Sequence, residues 1–113
     1  MPHCTIEYAK SLEQQIQPSA LMTLVYQATA SSDLFEAENI KTRCMAFEHH
    51  MRGDQILDFI HVTLRILSGR SVEQKQALSQ AVLDQLKQTQ LQGVSFTVGV
   101  REMHRDIYAK YVS

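Results

Sequence analysis

The sequence has no tryptophan, two prolines, four glycines and two cysteines among its 113 residues. The two cysteines, Cys4 and Cys44, are too few for a disulfide scaffold of this length, and so far apart they make no metal-ligand motif. They read as buried, reduced strand residues of a cytoplasmic protein. No apolar run approaches the about 20 residues that a membrane-spanning helix needs. The N-terminus lacks a basic start followed by an apolar stretch, so no secretory signal is visible. Neither charge is in excess: 11 Lys and Arg stand against 12 Asp and Glu, for a net charge of −1. A dedicated nucleic-acid binder would show a basic surplus or stripe. Neither nucleic acid nor a membrane is therefore expected as a partner.

What is present suffices for one core. Apolar residues make up 44% of the chain, and its length is that of one domain, spanning 1–113. So short a chain has little left over to wall a catalytic cleft. An enzyme of this size is expected to borrow part of its pocket from a neighbouring subunit.

Hydrophobic periodicity divides the chain. Pro2, Cys4, Ile6 and Tyr8 alternate with His3, Thr5 and Glu7, which predicts a half-buried strand. Pro2 suits only its start, because it has no N–H for the ladder. Ala9 to Ser19 is polar. Leu21, Leu24, Val25 and Ala28 then fall on one helical face, with Pro18 near the first turn and Ser31-Ser32-Asp33 as the stop. Ile40 to Phe47 alternates again, as does Phe59 to Leu67, with Ile60, Val62, Leu64 and Ile66 facing one way. Ser71 with Gln74 forms a capping-box pattern for a second helix that turns Leu78, Ala81, Val82 and Leu86 inward. Val94, Phe96, Val98 and Val100 predict a fourth strand. The tail from Met103 to Ser113 is mixed, with Tyr108 and Tyr111 suited either to anchoring it on a neighbour or to a loosely packed terminus.

The order is βαβ, then βαβ. Parallel pairing and right-handed crossovers are expected within each half. The halves, about 1–56 and 57–113, also match in letters. Ser11-Leu12-Glu13-Gln14-Gln15 is similar to Ser71-Val72-Glu73-Gln74-Lys75, and Glu48-His49-His50 to Glu102-Met103-His104. The expected fold is α/β (α+β), a four-stranded mixed sheet with both helices on one face. The other face would carry Lys41, Arg43, His61, Thr63, Arg65, Ser95, Thr97 and Arg101, either bare to water or lining a channel between subunits.

Met1-Pro2, the two βαβ units and the run Leu67-Ser68-Gly69-Arg70-Ser71-Val72-Glu73-Gln74-Lys75 resemble the tautomerase superfamily. Pro2-His3, Ile40-Lys41-Thr42-Arg43, Phe59-Ile60-His61-Val62-Thr63-Leu64 and Gly69-Arg70-Ser71 make nearly the whole chain similar to the 5-carboxymethyl-2-hydroxymuconate isomerase family. The resemblance implies a homotrimer with helices outside and loss of Met1 to leave Pro2 as the first residue. It further implies an isomerase without cofactor, acting in aromatic catabolism on a small anionic unsaturated 2-hydroxy or 2-oxo carboxylate. In that family an Arg often stands where this chain has Lys41. The change keeps the charge but loses the planar two-point fork.

Such chemistry needs a base that takes a proton from one atom and returns it to another. It also needs cations for the carboxylates and the developing enolate. The free amine of Pro2 can be that base, because burial and nearby cations both lower an amine's pKa. Arg70, after Gly69 at the start of a helix, is the first candidate for a carboxylate. Arg43 and Lys41 follow; Arg43 is equally suited to a structural ion pair. His3, His49, His50 and His61 lack metal-site spacing and read as surface or polar-face residues, so no metal is expected. Phe35 and Phe47 suit either a pocket wall or the core. Two other functions fit the same pattern: a tautomerase of phenylpyruvate-like acids, needing one cation, and a trimeric binding protein without activity.

Overall fold

The structure is a computed structural model describing residues 1–113. Its strands are β1 (His3–Ala9), β2 (Lys41–Phe47), β3 (Asp58–Leu67) and β4 (Val94–Met103), and its helices are α1 (Pro18–Ala30) and α2 (Val72–Lys87). The sheet order is β2-β1-β3-β4. β1 pairs parallel with β2, β3 pairs parallel with β4, and β1 pairs antiparallel with β3. Two parallel βαβ units thus meet along an antiparallel seam, giving the mixed sheet that the alternation predicts.

The core lies between the sheet and the helices. Cys4, Ile6 and Tyr8 of β1 and Ile60, Val62, Leu64 and Ile66 of β3 point into it, as do Leu21 and Val25 of α1 and Leu78, Val82 and Leu86 of α2. β1 and β3 are the central strands, so their inward residues are the most fully enclosed. Each large aliphatic side chain buried there contributes about 1.5–3 kcal/mol. The helix starts follow local chemistry. Pro18 occupies the first turn of α1, where a missing N–H costs nothing. Ser71 Oγ accepts from Gln74 N at 3.1 Å, and Gln74 Oε1 accepts from Ser71 N at 2.9 Å, closing the capping box of α2.

Two local expectations change. The polar stretch after β1 is not featureless: Lys10–Gln14 forms a 3-10 turn that buries Leu12 completely. Tyr8 donates to Glu13 at 2.6 Å and Ser11 to Asp58 at 2.7 Å, and these bonds hold the turn against the sheet. Ala81 is exposed rather than inward. It lines a groove of about 780 Å³ between α1 and α2, with Ala28, Leu34 and Gln74 among the other walls. Three larger residues on α2 already fill its sheet-facing side, leaving Ala81 on the flank.

The sheet face away from the helices is polar. His3, Lys41, Arg65 and Arg101 fall in one row across the four strands, and Thr5, Arg43 and Thr63 fall in the next. No helix is long and apolar enough to cross a membrane.

Candidate active site

Pro2 stands just before β1 and is buried. It shares the parity of Cys4 and Ile6. Its carbonyl accepts from Lys41 N at 3.0 Å, which continues the β1–β2 pairing one step beyond the strand. The ring has no N–H to leave unpaired there. Lys41, opposite His3, opens β2 with its side chain on the polar sheet face.

Arg70 reaches the same end of the sheet from the β3–α2 loop. Gly69 has a φ of +124°, a conformation open to glycine and strained for other residues. The turn it permits brings the Arg70 guanidinium over the Phe35 ring, 4.9 Å from the centroid. Arg70 Nη2 donates to Leu34 O at 2.7 Å and Nη1 to Leu67 O at 3.4 Å. These bonds use two of five N–H groups, so the fork keeps donors for an anion. Phe35 is thus the platform for Arg70. Phe47 packs against Phe59, their centroids 6.1 Å apart.

The C-terminal tail returns over the N-terminus of its own chain. Ser68 N donates to Met103 O at 3.0 Å, and Arg105 Nε and Nη2 donate to Ser68 O at 3.2 and 3.0 Å. Farther on, Tyr108 Oη lies 2.9 Å from His3 Nε2. Lys110 Nζ donates to Asn39 Oδ1 at 3.1 Å and to Met1 Sδ at 3.0 Å. Tyr108 therefore anchors the tail on this chain, where the sequence suggested a neighbour or a loose terminus; Tyr111 is exposed.

Four cations, from the start of β2, the β3–α2 loop and the C-terminal tail, act on the chain's first amine, that of Met1. Burial lowers its pKa most, followed by the charges of Arg70, Lys110, Lys41 and Arg105. None of these cations is paired with a carboxylate, since the ion pairs are Lys10–Glu13 at 3.4 Å and Lys75–Glu102 at 3.2 Å. The arrangement disfavours the protonated form of an amine beside uncompensated positive charge.

The structure brings Pro2, Arg70 and Lys41 to one end of the sheet. Arg43 lies one step away from the group, on the polar face, with Nη1 3.3 Å from His3 Nδ1. Arg105, Lys110 and Asn39 escape a reading of the sequence, because nothing in a mixed tail says where it folds back or which turn it meets. The one signal was the pair of tyrosines.

The other histidines lie elsewhere. His61 sits between Thr97 Oγ1 at 2.7 Å and Thr63 Oγ1 at 3.2 Å, and His50 packs edge-on against Phe59. No three His, Cys, Asp or Glu side chains converge as a metal site would require. Cys4 is buried as expected, whereas Cys44 is only half-buried; both are free thiols, and burial pushes both up in pKa. The largest cavity is the α1–α2 groove, which does not include Pro2. The chemistry-bearing groups thus lie on an open end of the single chain.

The sequence model of a family described as 5-carboxymethyl-2-hydroxymuconate isomerase matches residues 2–110. The chain belongs to that family. It is a family of isomerases, and the match begins at Pro2 and ends at Lys110. A relative, the 5-carboxymethyl-2-hydroxymuconate Delta-isomerase of Escherichia coli, is 25% identical over 89 residues, 77% of this chain and 71% of the relative. The fold agrees. A 5-carboxymethyl-2-hydroxymuconate isomerase from Deinococcus radiodurans R1 superposes with a TM-score of 0.85 at 21% identity, over 99% of this chain and 90% of that one. A fused 4-OT described as a symmetric trimer superposes with a TM-score of 0.78 at 16% identity, over 96% and 90% of the two chains.

Proposed function

We propose that this isomerase uses the secondary amine of Pro2, freed by loss of Met1, to move a double bond in an unsaturated 2-hydroxy or 2-oxo dicarboxylate or tricarboxylate. 5-Carboxymethyl-2-hydroxymuconate is the substrate type that the family suggests. The observation that carries the reading is the ring of unpaired cations around the first amine. Burial and those charges lower the pKa of the Met1 amine, and a Pro2 amine freed one residue on would lie in the same field.

The reaction balances without a cofactor. The Pro2 nitrogen takes the enol proton, the O–H bond breaks and the C2 carbonyl forms. The conjugated double bonds shift, and the prolinium returns its proton to a distal carbon. Arg70, Lys41 and Arg43 hold the carboxylates and the negative oxygen of the intermediate. The open end of the single chain fits a homotrimer in which one subunit's β-edge completes a neighbour's pocket. Arg43, on the polar face, is placed to serve an adjoining subunit. The setting is aromatic catabolism in the cytoplasm.

The test is turnover of a 2-hydroxymuconate-type dienol, followed by ultraviolet absorbance, with intact mass recording whether Met1 is present. Protein starting at Pro2 is expected to be active. Pro2→Ala is expected to lose about 10²-fold or more in kcat/KM. Equal activity in protein that keeps Met1 would discard the mechanism, because an amide nitrogen has no basicity. Sedimentation of the same protein checks the trimer.

A further inference from the structure

Three of the four cations around the first amine differ from the fourth in how they are held. The guanidinium of Arg70 is tied to two main-chain carbonyls, and that of Arg105 to Ser68 O. Lys41 extends from the strand start on the polar face. Lys110 alone makes a contact that depends on Met1. Its ammonium donates to Met1 Sδ, a weak acceptor, and to Asn39 Oδ1. Loss of Met1 removes the first bond and leaves the second. It also empties the space beside Pro2 that Met1 occupies.

We infer that Lys110 is a specificity-determining residue that binds the second carboxylate of a dicarboxylate substrate, in the volume Met1 vacates, while Arg70 holds the first. The inference rests on the proposed function for the identity of the pocket. Its physical basis is the placement of Lys110: an ammonium with one neutral partner left, positioned by its own chain beside the N-terminus. Asn39, in the turn just before β2, holds the lysine's other bond. Tyr108, joined to His3 at 2.9 Å, straps the tail so that Lys110 two residues on reaches the N-terminus. A carboxylate accepts where the thioether accepted, and it is the far better partner for an ammonium. A monocarboxylate engaged by Arg70 offers Lys110 nothing. The tail thereby sets how many carboxylates the site reads.

The test needs no turnover. Calorimetry measures binding of trans,trans-muconate, a diene with two carboxylates and no enol, and of sorbate, its one-carboxylate counterpart. Protein whose mass shows Pro2 first is compared with Lys110→Ala and Lys110→Arg. Wild type is expected to prefer muconate by at least about tenfold. Lys110→Ala is expected to lose that preference, and Lys110→Arg to recover most of it. Equal preference in wild type and Lys110→Ala, or none in wild type, overturns the inference. Circular dichroism confirms that each variant is folded, and Lys110→Gln replaces Lys110→Ala if the latter is not. Dienol turnover is scored apart. A Lys110-dependent preference without turnover keeps this inference and discards the proposed reaction; turnover without the preference does the reverse.

Discussion

Arg43 fixes the tautomer of His3. A guanidinium can only donate, so His3 Nδ1, 3.3 Å from Arg43 Nη1, is the acceptor and carries no proton. The ring's hydrogen is then on Nε2, which donates to Tyr108 Oη at 2.9 Å. A neutral histidine is what the surroundings favour. Burial lowers its pKa most, and Arg43, Lys41, the chain's first amine and Arg65 lower it further.

His3 is therefore expected to titrate below its ordinary value of about 6.5 in an NMR pH series. Arg43→Ala should move it back up. The sign for stability follows. Between the two values the unfolded chain binds more protons than the folded one. His3's contribution is complete above the unfolded value and is lost as pH falls toward the folded one. Urea midpoints should drop across that window in wild type, and drop less in His3→Gln.

A base must be unprotonated, so kcat/KM should fall on the acid side as the first amine takes up a proton. Burial and the surrounding cations, which lower the pKa of the Met1 amine, should hold that limb below the ordinary value of a free Pro2 amine. Arg105→Gln removes one of the charges at a residue held by Ser68. Its acid limb should lie at higher pH than that of wild type. An unmoved limb would mean that Arg105 does not act on the amine.

Gly69→Ala tests the turn that delivers Arg70. At a φ of +124° an added Cβ is strained, although the nearest side-chain atom, Arg105 Nη2, is 3.7 Å away. The cost should be about 1–3 kcal/mol, read from denaturant unfolding. Relief of that strain would re-aim Arg70, so KM for the dienol should rise as stability falls.

The two faces of α2 should respond differently. Leu78 is buried against the sheet, and Leu78→Ala should cost about 2–5 kcal/mol. Ala81 borders the α1–α2 groove, and Ala81→Ser should stay within about 0.5 kcal/mol. Loss of the cap in Ser71→Ala should cost about 0.5–2 kcal/mol. Thermal and urea denaturation distinguish the three.

By itself the sequence determined the elements and the sheet's two faces. Alternation at Ile60, Val62, Leu64 and Ile66 and the Ser71–Gln74 box are local patterns, and local backbone geometry turns them directly into strand and helix. It also marked Pro2 and Arg70, whose neighbours in sequence carry the family's likeness. Only the tertiary structure decided what surrounds them. Tyr108 meets His3 across 105 residues of sequence, and Lys110 meets Met1 across 109. Such contacts leave no period in the chain, because they depend on where the whole sheet brings its two ends. The same holds for Ala81, whose exposure is set by the space between two helices, and for Arg43, which shares a strand with Lys41 but meets His3 across the β1–β2 pairing.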